Sequence, residues 1–209
     1  MRILKTLLMS FLAGALIAIG GTVFLSCQNK YVGATAFSVG LFFICEFGFA
    51  LFTGKIGKLI AYIKAKDYKS IVDLPVIIVG NFLGCLFVAG IMHLTRVYDA
   101  LLAADNVLVQ TKLNDSWYGI LVLAFMCGVM IYLGVENFAR SNNNFSKVFG
   151  IVMCVFVFII CSFEHSIADM FYFLLADSYT LVLLPMGAVV PIIAVLYPTW
   201  QKNVTCHVI

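Results

Sequence analysis

The chain has 209 residues, of which 63% are hydrophobic and 11% are charged, and its formal net charge is +3. Soluble domains contain about 25% charged residues, so this composition excludes an ordinary soluble protein. It favours a membrane protein in which little of the chain is left for a soluble domain.

Six apolar stretches follow one another along the chain. A membrane-spanning helix needs roughly 20 mainly apolar residues. Four stretches of this kind contain no charged residue, namely 7–27, 74–92, 116–135 and 178–201. Two more are interrupted, 31–54 by Glu46 alone and 148–176 by a cluster of Glu164, His165 and Asp169. The sequence predicts an all-α polytopic membrane protein with six transmembrane helices.

The N-terminal stretch allows a second interpretation, a cleaved signal sequence. MRILK is basic and VFLSC resembles a lipoprotein cleavage site. The apolar run is long for a signal sequence, however, and its removal would deprive the other five helices of a partner. We therefore expect a retained first helix.

The basic residues are distributed unequally between the connections. Arg2 and Lys5, five lysines in 54–70, Arg140 with Lys147, and Lys202 fall on one side of the predicted topology. Because basic loops stay in the cytoplasm, we expect both termini there and a multi-pass protein of the inner membrane. The positive charge reflects this bias, and we expect no binding of nucleic acid. Both tails are short, so we also expect no gating by an N-terminal helix.

Polar and glycine-rich segments interrupt the second and fifth helices. The second contains GFALFTG (48–54), and the fifth contains SFEHSIAD (162–169). Irregular backbone at membrane depth must be buried in protein or line a cavity. The placement predicts one channel domain, 1–209, made of two halves of about 1–95 and 112–200. Two broken helices that meet would form a site for a small anion or polar solute at His165. Alternatively, His165 is a structural hydrogen-bond node between helices.

Cysteines and metal ligands give no sign of redox or metal chemistry. The chain has seven cysteines, and none stand at CxxC spacing. Six of them fall in or beside the apolar stretches, where cysteine behaves as a small apolar residue. We therefore expect no metal, no cofactor and no catalytic residue.

Four motifs resemble, in this order, the formate/nitrite transporter family, which includes formate, nitrite and hydrosulfide channels and relatives that carry lactate. They are ALFTG (50–54), VGNFLG (79–84), NVLVQTKL (106–113) and FEHSIADMF (163–171). The resemblance implies an aquaporin-like bundle of six helices with inverted repeats, of which helices two and five are broken. It also implies a homopentamer in the lipid bilayer with one pore in each protomer.

The resemblance also implies roles for individual residues. Thr53, which follows Leu51 and Phe52, would lie in the first break, and His165 with Glu164 in the second. Lys112 would attract a small monovalent anion. Apolar slits formed by Phe37, Leu41, Phe52 and Phe158 would admit the solute in neutral or proton-coupled form.

Three positions depart from the family pattern. Ala50 stands where an acidic residue is usual, and we hypothesise that Glu46, four residues earlier, replaces it. Gly128 stands where a pore-facing Asn is common. Asp169 replaces an Asn and, if ionised, would favour a protonated His165. The substrate stays open between formate, nitrite, hydrosulfide and a short-chain carboxylate, with formate first on family frequency alone.

Three other functions stay open at this point. One is a neutral-solute channel, although the paired Asn-Pro-Ala motifs of aquaporins are absent. Another is a non-transporting assembly or sensor protein, for which the loops offer little surface. The third is an intramembrane enzyme, for which no nucleophile–base spacing is found. We therefore expect a channel and not an enzyme.

Overall fold

The computed structural model describes residues 1–176, and nearly all of this region is helical. The helices are α1 (Arg2–Ser26), α2 (Lys30–Glu46), α3 (Phe52–Ile56), α4 (Leu59–Lys64), α5 (Tyr68–Met92), α6 (Tyr98–Leu113), α7 (Trp117–Arg140), α8 (Asn144–Ile160) and α9 (Ser166–Leu175). The sixth predicted span, 178–201, lies outside the described residues.

Three of these helices are long and apolar enough to cross a membrane: α1, α5 and α7. The shorter helices α8 and α9 are apolar as well. Large apolar side chains remain exposed on α5, including Val79, Phe82 and Phe87. Such a face suits lipid or a neighbouring subunit and not water. The all-α membrane architecture is therefore confirmed, while the count of six spans stays a prediction.

Short polar side chains begin several of the helices. Asn29 accepts hydrogen bonds from the first backbone N–H groups of α2, and Asn143 does the same for α8. Ser116 accepts from the N–H of Gly119 at the start of α7. A side chain of this kind satisfies donors that have no partner within the helix. A single polar residue thus sets the start of each of these three helices.

Glycine allows α1 and α5 to pack with their backbones almost in contact. A Cβ atom on Gly14 would lie 2.0 Å from the carbonyl oxygen of Asn81, and one on Gly84 would lie 2.1 Å from that of Phe11. No larger residue fits at either position, as expected for small-residue packing in membrane helices. The segment 80–84 is therefore a packing face, and it holds α5 against α1.

Two helices occupy segments that the sequence analysis treated only as connections. The short helix α4 lies in the basic segment that follows the first break. The longer helix α6 buries Leu101 and Val109 and packs against α1 and α9. Because α6 contains charged residues, its segment has no apolar run long enough to be predicted as a membrane-spanning helix. Because α6 ends near Lys112, it determines where that ammonium lies.

The two predicted helix breaks are confirmed. Helix α2 ends at Glu46, Gly48 adopts the left-handed backbone with φ of 67°, and α3 begins at Phe52. Helix α8 ends at Ile160, Ser162 adopts φ of 54°, and α9 begins at Ser166. Each break thus contains one residue in the left-handed region. At that residue the backbone leaves the right-handed helical conformation before the next helix starts.

Candidate functional site

The two breaks meet at a hydrogen bond between Thr53 and His165. The imidazole Nε2 lies 3.1 Å from Thr53 Oγ1, and the residues are 6% and 1% exposed. His165 is also the residue that caps α9, because its Nδ1 accepts the N–H of Ala168 at 3.1 Å. A nitrogen that accepts a hydrogen bond carries no proton, so the proton of the neutral ring is on Nε2. Nε2–H therefore donates to Thr53 Oγ1.

This arrangement leaves Thr53 able to donate. Its oxygen accepts from His165, and within residues 1–176 its hydroxyl proton has no acceptor. A hydroxyl both accepts and donates. A solute oxygen that reaches the pair can therefore receive a hydrogen bond from Thr53.

Asn81 on α5 holds the first break in position. Its Oδ1 accepts the N–H of Phe52 at 2.9 Å. Its Nδ2 donates to the carbonyls of Ser10 at 2.7 Å and Ala50 at 3.0 Å. Asn81 is fully buried, so these bonds satisfy backbone groups that water cannot reach. The sequence analysis had Asn81 only within the motif VGNFLG, although an amide in an apolar span is a signal for such a role.

We expect Asn81→Leu to destabilise the folded protein severely. The substitution leaves the N–H of Phe52 and the carbonyl of Ala50 without their partner, and each buried unpaired group costs about 1–3 kcal/mol. The measurement is the apparent melting temperature of the detergent-solubilised protein, followed by size-exclusion chromatography. Asn106→Leu is the control, because Asn106 is exposed on α6. Equal melting temperatures for the two variants would contradict the assigned role of Asn81.

Lys112 lies between two carboxylates. Its Nζ is 2.5 Å from Glu164 Oε2 and 3.0 Å from Asp169 Oδ1. The three side chains are only 10%, 5% and 14% exposed, in the order Lys112, Glu164, Asp169. Charge-assisted bonds of this kind are short and strong. Asp169 was expected to act on His165, but its carboxylate is bound to Lys112 instead.

Asp105, which lies on α6 about two turns before Lys112, was missed by the sequence analysis. It is completely buried, and within residues 1–176 neither carboxylate oxygen has a hydrogen-bond partner. Burial raises the pKa of Asp105 to about 8, although the charge of Lys112 works against this shift. The carboxyl is therefore mostly neutral at neutral pH, and it takes little of the Lys112 charge.

Two cavities approach the Thr53–His165 pair. The first has a volume of about 390 Å³, and its lining includes Lys112, Glu164, His165, Asp169 and Phe158. The second has a volume of about 340 Å³, and its lining includes Leu41, Leu51, Gly54, Lys55, Lys58 and Lys147. Phe52 and Thr53 are buried and lie along the chain between Leu51 and Gly54. Because Thr53 reaches His165, the pair and its neighbours separate the two cavities.

Aromatic and aliphatic side chains surround the pair. Phe158 stacks on the His165 ring at 5.6 Å between centroids. The fully buried Phe37 contacts Phe158 edge to face at 5.8 Å. Leu41 and Leu51 line the second cavity. The structure thus brings together the apolar residues and the polar residues Thr53, Glu164 and His165 that the sequence analysis selected.

Two selected residues lie apart from this group. Glu46 is exposed at the end of α2 and lines neither cavity. The helix-face argument for Glu46 is wrong, because α2 ends at this residue and the backbone is already extended at Leu51. Gly128 is buried within α7 and lines neither cavity. Within residues 1–176 no cluster of three His, Cys, Asp or Glu side chains fits a metal ion.

Comparison with known proteins assigns the sequence to a family. The family model described as formate/nitrite transporter matches residues 1–204. The formate channel FocA of Haemophilus influenzae is 26% identical over 175 residues, which cover 76% of this chain and 62% of that protein. A probable formate transporter of Methanothermobacter thermautotrophicus is 28% identical over 200 residues, which cover 80% of this chain and 73% of that protein. The match thus spans less than two thirds of the Haemophilus protein.

Two solved structures share the fold. A pentameric formate channel with formate bound has a TM-score of 0.76 and 21% identity, with 96% of each chain covered. An FNT family ion channel has a TM-score of 0.77 and 20% identity, with 96% of this chain and 91% of that chain covered. These relatives are channels and transporters and not enzymes. With the match over residues 1–204, they show that this polytopic membrane protein belongs to the formate/nitrite transporter family.

Proposed function

We propose that the protein is a channel for small monovalent anions of weak acids: formate, nitrite, hydrosulfide or a short-chain carboxylate. The observation that carries this proposal is the buried Thr53–His165 pair between two cavities, with Phe158 stacked on the ring. The pair offers hydrogen bonds to one small solute at a time, and its surroundings are apolar.

The apolar surroundings favour passage of the neutral acid. A bare anion placed among Phe37, Phe158 and Leu41 would lose its hydration and gain no paired charge, which costs many kcal/mol. The conjugate acid avoids most of this cost. Protonation at the barrier therefore couples the movement of the anion to that of a proton.

His165 acts in this proposal as a hydrogen-bond donor. Its Nδ1 is occupied by the N–H of Ala168, so a second ring proton would break the cap of α9. Nε2–H donates to Thr53 Oγ1, the hydroxyl of Thr53 donates to the solute oxygen, and the transported proton comes from water in a cavity. This differs from direct proton transfer by the imidazole, the other role that the residue type allows.

Lys112 attracts the anion into the first cavity. Glu164 and Asp169 share its charge, so the attraction is weaker than that of an unpaired ammonium. Asp169, which stands where the family pattern has Asn, adds a second carboxylate to this ammonium. We propose that the presence of Asp in place of Asn at position 169 lowers the anion affinity of the first cavity.

The same relatives and the basic residues of the sequence support a proposal for assembly and membrane placement. We propose a homopentamer with one pore per protomer, as in the solved pentameric channel of the same fold. Halves 1–95 and 112–200 would be inverted repeats, since each contributes one broken helix to the site. The basic ends and connections, such as Arg2, Lys5 and Lys147, place both termini in the cytoplasm by the positive-inside rule.

Flux into proteoliposomes tests the proposal. Formate, nitrite and hydrosulfide are offered at about pH 5.5 and about pH 7.5, on either side of the free histidine pKa near 6.5. We expect flux above that of empty vesicles, and faster flux at the lower pH, where more neutral acid forms. Passage of urea or glycerol alone would show a neutral-solute channel. No flux of any solute through folded, oligomeric protein would contradict transport.

A further inference from the structure

We propose that the second cavity is a binding site for monocarboxylates with a short apolar chain, and that Lys55 is the residue that binds their carboxylate. This inference rests on the proposed transport of weak-acid anions and names a substrate class within it. It also places a second anion site on the opposite side of the barrier from Lys112.

Among the described residues that line this cavity, Lys55 is the cation that remains free. The described lining contains three lysines and no carboxylate. Lys58 is paired with Glu136 at 2.9 Å, and Lys147 lies over the ring of Phe138 at 5.4 Å. Lys55 forms no ion pair and no side-chain hydrogen bond with any residue in 1–176, so its ammonium is available to an anion.

The position of Lys55 connects the cavity to the route. It lies on α3, two residues after Thr53, while Leu51 and Gly54 of the same segment line the cavity. A carboxylate held by Lys55 is therefore directly next to the barrier. Protonation there would release the neutral acid toward the Thr53–His165 pair.

The walls of the cavity select the chemical class. They are mainly apolar and include Leu41, Ile44, Phe49, Val135 and Phe138. Its volume of about 340 Å³ is at the lower end of ordinary ligand pockets. Formate has no apolar group to place against these walls. Each CH₂ that a longer monocarboxylate buries should strengthen binding about fourfold.

The first cavity also has apolar walls, such as Leu108 and Phe163, but among its described lining residues no lysine is left without a partner. Its cations are Lys30 and Lys112, and its acids are Asp115, Glu164 and Asp169. Lys112 is shared by two carboxylates, and Lys30 donates to the carbonyl of Ile160 at 3.1 Å. An anion therefore binds more tightly in the second cavity. With the proposed topology, that cavity faces the cytoplasm.

Ligand-observed NMR on protein in nanodiscs measures this binding without any transport. The probes are formate, acetate, propionate and butyrate at neutral pH. We expect affinity to rise along this series. Lys55→Gln should weaken butyrate binding about tenfold, the scale of one charge-assisted bond. Lys55→Arg should restore it. Lys64→Gln is the matched control, since Lys64 is exposed and lines neither cavity.

The outcomes separate this inference from the proposed function. Equal affinity for formate and butyrate, or equal binding by Lys55→Gln and Lys64→Gln, would overturn the inference while leaving flux intact. Loss of butyrate binding in His165→Asn, with binding retained in Lys55→Gln, would overturn it as well, because the site would then be at the barrier. Lys55-dependent binding of butyrate by a protein that shows no flux would support the site and contradict transport.

Discussion

Flux should survive the substitution His165→Gln and fall at least about tenfold with His165→Asn, although the Asn variant should fold as well as the unchanged protein. The amide nitrogen of Gln reaches the place of Nε2 and can still donate to Thr53. Asn is too short for that contact, but its oxygen replaces Nδ1 as the cap of α9, and Asn is a good capping residue. The tenfold figure corresponds to the loss of one hydrogen bond, about 1–1.5 kcal/mol.

The two variants distinguish a hydrogen-bond donor from a group that transfers a proton. Neither amide titrates, so a transfer role predicts that both variants lose flux equally. The measurement is proteoliposome flux at about pH 5.5 and about pH 7.5, around the free histidine pKa of about 6.5. Melting temperatures are compared in parallel, because Gln should cost stability through the lost cap. Equal flux in Gln and Asn variants would contradict the donor role of His165.

The helix breaks could be predicted from the sequence because their residues conflict with membrane helix. Gly48 and Gly54 bracket one break, and Glu164, His165 and Asp169 occupy the other. Residues of these types are costly in a lipid-exposed helix. The resemblance then selected Thr53 and Lys112, which composition alone does not single out.

The partners of these residues could not be predicted in the same way. Asn81 is 29 positions from Phe52 in the sequence, and Lys112 is 57 positions from Asp169 by their numbers. No local pattern encodes such contacts, since they depend on how α5, α6 and α9 pack. Asp169 is four residues after His165, which suggested an interaction between them, but α9 turns its carboxylate toward Lys112. The hypothesis for Glu46 failed for a related reason. It required α2 to continue from Glu46 to Ala50, but α2 ends at Glu46.

Lys112→Met should destabilise the protein by about 3–5 kcal/mol, the cost of removing one partner from a buried ion pair. The substitution leaves Glu164 and Asp169 next to each other, 5% and 14% exposed, with no cation between them. For a chain of this size, 1 kcal/mol corresponds to about 2–4 °C in melting temperature. We therefore expect a decrease of about 10 °C, measured by thermal aggregation followed by size-exclusion chromatography. Lys58→Met is the control, because the Lys58–Glu136 pair is more exposed and should contribute at most about 1 kcal/mol.

A triple variant separates the charge of Lys112 from its packing. Combining Lys112→Met with Glu164→Gln and Asp169→Asn removes all three charges and keeps side chains of similar size. Replacing a buried ion cluster by neutral groups is often harmless to stability, so the triple variant should melt near the temperature of the unchanged protein. If it melts as low as Lys112→Met alone, the ammonium contributes through packing and not through charge. If stability returns but anion uptake does not, Lys112 serves the anion as well as the fold, because only the attraction of its charge would still be missing.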